Sequence, residues 1–268
     1  MCEQCGCAAT PKVVHVSGHA GIVSAKAARS QSVEILTGIL SENDHQAAHN
    51  REHLDARGVL AINLMSAPGS GKTSLLEATI DAVGDRLRIA VIEGDLETEN
   101  DARRIRAKGV PAIQITTGNA CHLDAHMVHD ALHALDLDAI DILFVENVGN
   151  LVCPASFDLG QHASVTLLAV TEGDDKPAKY PVMFRTSDLV VLSKTDLLGV
   201  LDDFSIEEAE RHIRALANPA PVLRVSARRA DTLTPWIAWL ETQLAACRGG
   251  AMRRPHPARA HIHRHAAE

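Results

Sequence analysis

The chain has 268 residues, 46% hydrophobic but only 3% aromatic, so its core must be built from Val, Ile, Leu and Ala, the composition of buried parallel strands under helices. Its formal charge is −8, and because residues 248–268 hold five arginines against one glutamate, residues 1–247 carry −12, which excludes a general nucleic-acid binder. No apolar run reaches bilayer-spanning length and no secretion leader opens the chain, so a cytoplasmic protein with reduced thiols and no membrane segment is expected.

The chain opens on Cys2-Glu3-Gln4-Cys5-Gly6-Cys7, three thiols close enough to wrap one ion without a fold. Thiolate is a soft ligand suited to nickel, zinc or copper, and thiolate with backbone or terminal nitrogen suits square-planar Ni(II). Residues 1–31 otherwise lack periodicity and are expected to form a mobile metal-binding arm. Order is expected from Ser32, with Val33, Leu36 and Leu40 at helical spacing and a polar helical stretch, Ser41 to Ala56, ending at Gly58. His45, His49 and His53 repeat on that helix at i, i+4 and are expected on its solvated face.

Seven apolar runs then alternate with helical patterns: Val59–Met65, Arg88–Ile92, Ala112–Thr116, Ile140–Val145, Val165–Val170, Leu189–Leu192 and Val222–Val225. Alternation of this kind predicts an α/β domain over residues 32–247, with a mostly parallel sheet flanked by helices. Ligands then gather at the carboxyl ends of the strands. Residues 248–268 read as a disordered basic tail carrying His256, His261, His263 and His265, a weak metal binder at most. Cys247, alone after an apolar helix, reads as inert.

The first run leads into Ser66-Ala67-Pro68-Gly69-Ser70-Gly71-Lys72-Thr73, a P-loop with Ser66 in the place of the usual first glycine. Gly69, Ser70, Gly71, Lys72, Thr73 and Ser74 are expected to cradle phosphate, Lys72 as a point charge on the β and γ phosphates and Thr73 as a Mg²⁺ ligand. The second run ends in Glu93-Gly94-Asp95, where Asp95 is expected to hold Mg²⁺ or orient the attacking water. The fourth ends in Glu146-Asn147-Val148-Gly149, a Walker-B-like tip with Glu146 at its end. Lys72, Asp95 and Glu146 are the catalytic candidates. No glutamine or arginine finger stands out, so hydrolysis is expected to be slow.

Base identity is read from Ser193-Lys194-Thr195-Asp196, similar to the guanine-reading NKxD pattern with Ser193 for asparagine. A carboxylate at Asp196 accepts from the two adjacent N–H groups that guanine offers and adenine lacks. Lys194 is expected to stack along the base, and Ser226 and Ala227 to close over it. The nucleotide is therefore expected to be GTP.

Two loops on the same face carry Cys121-His122 and Cys153, a mixed sulfur and nitrogen set that would leave positions open on an ion. The residues alone also fit buried, non-ligating side chains. His122, His126, His129 and His133 are expected as one helical stripe opposite Leu123, Met127, Ala131 and Leu135, facing solvent or a partner. Lys176 and Lys179 are expected to contact nucleotide or a facing protomer, or to sit in a plain surface loop.

From CxxCxC through SAPGSGKT, VIEGD, CH-LDA, ENVGNLVCP, EGDDKPAKYP and SKTD, the chain resembles the hydrogenase nickel-incorporation GTPases, the HypB family. The resemblance implies a P-loop GTPase fold, a tight nickel site at Cys2, Cys5 and Cys7, and a weaker nickel or zinc site at Cys121, His122 and Cys153 on a GTP-stabilised homodimer interface. It also implies delivery of Ni²⁺ to the [NiFe] hydrogenase large subunit precursor together with a zinc-containing HypA-family protein. Cys153 lies seven residues after Glu146, so loss of the γ-phosphate is expected to shift one ligand of the three. Two other readings compete: a urease-type accessory GTPase, against which the N-terminal CxxCxC argues, and a nickel or zinc storage or sensing protein, for which the fifteen histidines argue.

Overall fold

A computed structural model describes residues 25–95, 99–118 and 120–252. The Cys2, Cys5 and Cys7 cluster and the tail histidines lie outside the described residues. Helix α1 spans Ala25–Asp55 as one continuous element, beginning seven residues before Ser32. The run Ala25-Lys26-Ala27-Ala28-Arg29 is made of strong helix formers, and intrinsic propensity extends the helix where no apolar periodicity announces it.

Seven parallel strands follow among the described residues: β1 Leu60–Ser66, β2 Ile89–Asp95, β3 Ala112–Thr116, β4 Ile142–Glu146, β5 Ala163–Ala169, β6 Leu189–Ser193 and β7 Val222–Arg224. Their order in the sheet is β3-β2-β4-β1-β5-β6-β7. The crossovers carry α2 Lys72–Val83, α3 Asn100–Ala107, α4 Ala125–Leu132, α5 Lys176–Lys179, α6 Pro181–Thr186 and α7 Ile206–Ala215, and α8 Thr234–Arg248 closes the fold. Strands β1, β4, β5 and β6 are buried along their whole length, as a sheet covered on both faces requires.

Alternate residues of β1 serve different faces: Leu60, Ile62 and Leu64 join Leu75, Leu76 and Trp236 under α2 and α8, while Ala61 joins Leu54, Val128 and Leu132 under α1 and α4. Trp236 donates to Thr79 Oγ1 at 2.8 Å, so the largest buried ring has its polar atom paired. Cys247 is buried in the α8 packing, and its sulfur lies within 4.8 Å of ligand atoms of Asp55 and His162. No helix among the described residues is long and apolar enough to cross a membrane.

Helix α1 is clamped to the rest of the fold by polar contacts. Arg51 forms a bidentate pair with Asp158 at 2.8 Å, Asn43 accepts from Ala125 N at 2.9 Å, and Asn50 donates to the Ala125 and Leu159 carbonyls at 2.7 and 3.1 Å. A Cβ at Gly160, where φ is +92°, would stand 2.6 Å from Asn50 Cβ and 2.7 Å from Ala47 O, so only glycine lets the loop after β4 approach α1 this closely.

Candidate functional site

The P-loop turns from β1 into α2 through Gly69 and Gly71, at φ +75° and +94°, and both conformations favour glycine. Ser66 is the last residue of β1, so no glycine is needed there; its hydroxyl accepts from Lys72 Nζ at 3.1 Å and holds the ammonium at the strand end. Thr73 Oγ1 donates to Glu146 Oε1 at 2.8 Å, which joins the start of α2 to the tip of β4. Ser70 donates to Glu172 Oε1 at 2.5 Å and thereby engages the segment that leads from β5 into α5.

Glu93 and Glu146 stand directly opposite each other in the β2–β4 register. With Asp101 of α3 they gather carboxylate oxygens within 4.8 Å of one another. Both glutamates are buried, and each leaves one oxygen, Oε2, without a hydrogen-bond partner. Burial first, then the facing Glu146 charge, raises Glu93 to about 8. Burial raises Glu146 to about 7 against the lowering pull of Lys72 and Thr73. Such a pair holds a proton at neutral pH or accepts a cation in its place. The orphaned oxygens beside Thr73 fit Mg²⁺, a hard cation that takes oxygen ligands.

Asp95 ends β2 two residues beyond Glu93 and lies outside this carboxylate group, though its backbone carbonyl anchors Thr117 N at 2.9 Å. Glu93 and Asp101 are functional candidates that sequence reasoning missed. Alternation along β2 puts Glu93 on the face of Asp95, which was a readable signal; the pairing with Glu146 was not.

The base-side cleft, of ≈ 470 Å³, is lined by Ser70, Gly71, Lys194, Asp196, Ser226 and Ala227 among others. Lys194 adopts a left-handed conformation at φ 58°, and its Cε lies 3.9 Å from where a Cβ on Gly71 would stand, so its stem crosses the mouth of the P-loop. Asp196 Oδ1 accepts from Ser226 Oγ at 2.6 Å, which orients the carboxylate. Ser193, in the asparagine place, donates to Ser70 O at 2.7 Å and ties the base-reading strand to the phosphate loop. Lys176 and Lys179 both lie on the short helix α5, where Lys179 pairs with Asp175 at 2.5 Å and Lys176 lies 5.5 Å from the Tyr180 ring centre.

Cys121, His122 and Cys153 converge. The two sulfurs are 3.0 Å apart, Cys121 Sγ is 3.7 Å from His122 Nδ1, and all three ligand atoms lie within 4.8 Å of one another. His122 is buried and stacked on Phe157 at 3.9 Å, and burial holds its imidazole below the ordinary value, in the neutral form that binds metal. It precedes the helix: Asp124 caps α4 by accepting from Met127 N at 2.9 Å, so His122 is not part of a helical stripe. His126 and His133 are exposed and His129 is half-buried, so this part of the stripe does face solvent, while His129 and His133 also meet His49 and His53 of α1. Only His122 drops out of the expected stripe, because the helix starts after it; the packing of α1 beside His129 and His133 was not foreseen.

The thiol site is wired to both acidic strand tips. Asn147, next to Glu146, accepts from Leu123 N at 3.1 Å and Val148 N at 2.9 Å and donates to Asn63 Oδ1 at 3.2 Å. Gly94, between Glu93 and Asp95, packs so tightly on Leu123 that a Cβ would stand 2.7 Å from Leu123 Cγ. Asn150 donates to Cys121 O at 3.3 Å and links the two ligand-bearing loops.

A profile described as "CobW/HypB/UreG, nucleotide-binding domain" matches residues 60–224, from β1 to β7. The hydrogenase maturation factor HypB of Azotobacter vinelandii is 53% identical over 215 residues, 80% of this chain and 71% of that protein. The chain belongs to the HypB family. Among solved structures, HypB from Helicobacter pylori in complex with nickel superposes with a TM-score of 0.73 at 41% identity, over 76% of this chain and 95% of that one. The hydrogenase maturation factor HypB from Archaeoglobus fulgidus gives a TM-score of 0.71 at 38% identity, over 76% of this chain and all of that one. These matches bear out the parallel-sheet P-loop fold and the family resemblance of the motifs.

Proposed function

We propose that this chain is a GTP-hydrolysing nickel metallochaperone that delivers nickel during maturation of [NiFe] hydrogenase, with GTP-dependent dimerisation gating the metal site. The observation that carries this reading is the single hydrogen-bonded segment from Glu146 through Asn147 to Leu123, which joins the phosphate end of β4 to the loop bearing Cys121 and His122. Names of the family's members support the hydrogenase role, and the nickel complex of the Helicobacter pylori relative supports the cargo.

In this reading Lys72 and the P-loop amides hold the phosphates, and Asp196 with Ser226 reads guanine. Mg²⁺, held by Thr73 with carboxylates of the Glu93, Glu146 and Asp101 group, would offset charge on the transferred phosphoryl group. Ionisation of the Glu93–Glu146 pair then follows nucleotide loading, and movement of the β4 tip repositions Asn147 and Cys153. Cys153 on one loop and Cys121 with His122 on another form a set that a small shift opens, as release of a labile nickel or zinc ion requires. The exposed edge of this set suits the HypA-family partner and a second protomer. The N-terminal Cys2, Cys5 and Cys7 hold nickel more tightly as the entry store.

GTP turnover coupled to nickel transfer tests the reading. Purified chain loaded with nickel should release it to a chelator faster with GTP and Mg²⁺ than with GDP, and Lys72→Ala should remove the difference. Equal release with both nucleotides would refute a GTP-driven delivery role.

A further inference from the structure

Four histidines from two helices meet on one flank of the molecule, away from the thiol site. His49 and His53 are one turn apart on α1; His129 and His133 are one turn apart on α4. Their ring centres are 4.3 Å apart for His49–His53, 4.5 Å for His129–His133, 5.2 Å for His49–His129, 5.9 Å for His53–His129 and 6.2 Å for His53–His133. With metal–nitrogen bonds of about 2.0–2.1 Å, two imidazoles on one ion place their ring centres roughly 4.5 to 5 Å apart. The spacings within each histidine pair, 4.3 and 4.5 Å, are that short, and those between the pairs, 5.2–6.2 Å, close to it only when the rings turn toward a shared ion.

The hydrogen bonds fix which nitrogen is available. Asn50 points its Nδ2 at two carbonyls, so its Oδ1 must accept, and His129 Nδ1 at 3.0 Å must be the donor. That leaves the lone pair of His129 on Nε2, facing His133 Nε2 at 3.0 Å. A buried amide orienting a ligand imidazole in this way is the usual support for a metal-binding histidine. Two nitrogens about 3 Å apart also match the bite of neighbouring ligands at right angles on one ion. His53 and His129 are held below the ordinary imidazole value, by burial first and then by the neighbouring histidines, and neutral imidazole is the binding form. Arg57, just after α1, donates to the His53 backbone carbonyl at 3.2 Å and pairs with Asp138 at 3.7 Å.

We propose that His49, His53, His129 and His133 form an all-imidazole site for one divalent ion of the nickel and zinc class, separate from Cys121, His122 and Cys153. Imidazole suits these borderline ions and not Mg²⁺ or Ca²⁺. α4 starts three residues after His122, and His129 and His133 stand seven and eleven residues after it. Half of the site comes from α1, outside the matched nucleotide-binding domain.

The test uses the full chain with Cys2, Cys5, Cys7, Cys121 and Cys153 changed to Ser, titrated with Ni²⁺ and with Zn²⁺, and with Mg²⁺ as the control. Adding His49→Gln and His133→Gln changes two exposed side chains that carry no core packing. The pair should remove one bound ion per chain, or weaken the binding at least tenfold, while circular dichroism and nucleotide binding stay unchanged. Mapping of histidine acylation by mass spectrometry should show His49, His53, His129 and His133 protected by Ni²⁺ or Zn²⁺ and not by Mg²⁺. Unchanged stoichiometry and affinity in the Gln variant, or protection confined to the tail histidines, would overturn the site.

Discussion

Gly149 lies against Pro68: a Cβ added to Gly149 would stand 2.9 Å from Pro68 Cα and 3.0 Å from Pro68 N. The segment leading to Cys153 therefore rests directly on the phosphate loop, with backbone rather than a pliable side chain in the way. Gly149→Ala must push the two apart. Overpacking of this kind typically costs about 1–3 kcal/mol. Titration calorimetry should show weaker binding of a non-hydrolysable GTP analogue by roughly that amount, with the metal affinity of Cys121, His122 and Cys153 altered as well.

In the proposed function Asp196, oriented by Ser226 at 2.6 Å, selects guanine. Asp196→Asn should shift preference from guanosine to xanthosine nucleotides, because xanthine presents a carbonyl where guanine presents its amino group. Ser193→Ala removes the 2.7 Å bond to Ser70 O and should weaken GDP by about 1 kcal/mol, the ordinary worth of such a bond. Competition titrations with GTP, XTP and ATP read both effects.

The Glu93–Glu146 pair makes a pH prediction. Glu93 is raised to about 8 and Glu146 to about 7, so the folded chain binds more protons than the unfolded one between the ordinary glutamate value and those values. Its stability without Mg²⁺ should therefore be greatest near pH 5 and fall as pH rises toward 8. Glu93→Gln should flatten that slope in thermal melts, because the amide cannot ionise. Mg²⁺ with nucleotide should oppose the fall at the alkaline end.

The two thiol sites should separate. Cys2, Cys5 and Cys7 changed together to Ala should remove a tightly held nickel and its sulfur-to-nickel charge-transfer absorption without altering GTP hydrolysis. Lys72→Ala should abolish turnover and leave that absorption in place. Persistence of the band in the triple variant would put the tight nickel elsewhere.

The local parts of this fold were legible in the sequence, and the contacts between distant parts were not. Ser66 to Thr73 is a strand, a loop and a helix start in one continuous segment, so each residue type declares its place. The apolar runs marked the strands because strands buried on both faces are built mostly of apolar residues. The facing of Glu93 and Glu146 is a register between segments far apart in sequence, and no local pattern encodes it. The same holds for Asn147, next to Glu146 at the tip of β4, whose partner Leu123 lies on another loop. The four-histidine meeting needed α1 to pack on α4, and two solvated stripes were the simplest reading of each helix alone.

The most direct test of nucleotide-gated metal release is the affinity of the Cys121, His122 and Cys153 site in two nucleotide states. The full chain should carry Cys2, Cys5 and Cys7 changed to Ala and His49→Gln with His133→Gln, so that this site is read apart from those two. Titrating Ni²⁺ or Zn²⁺ with GDP bound, then with a non-hydrolysable GTP analogue and Mg²⁺, should give affinities that differ by about 5–150-fold, the range of ordinary coupling energies, together with a changed dimer fraction. Adding Asn147→Ala, which cuts the link from Glu146 to Leu123, should shrink that difference. The same affinity and the same dimer fraction in both nucleotide states would contradict gating and leave a nucleotide-binding protein that carries metal independently.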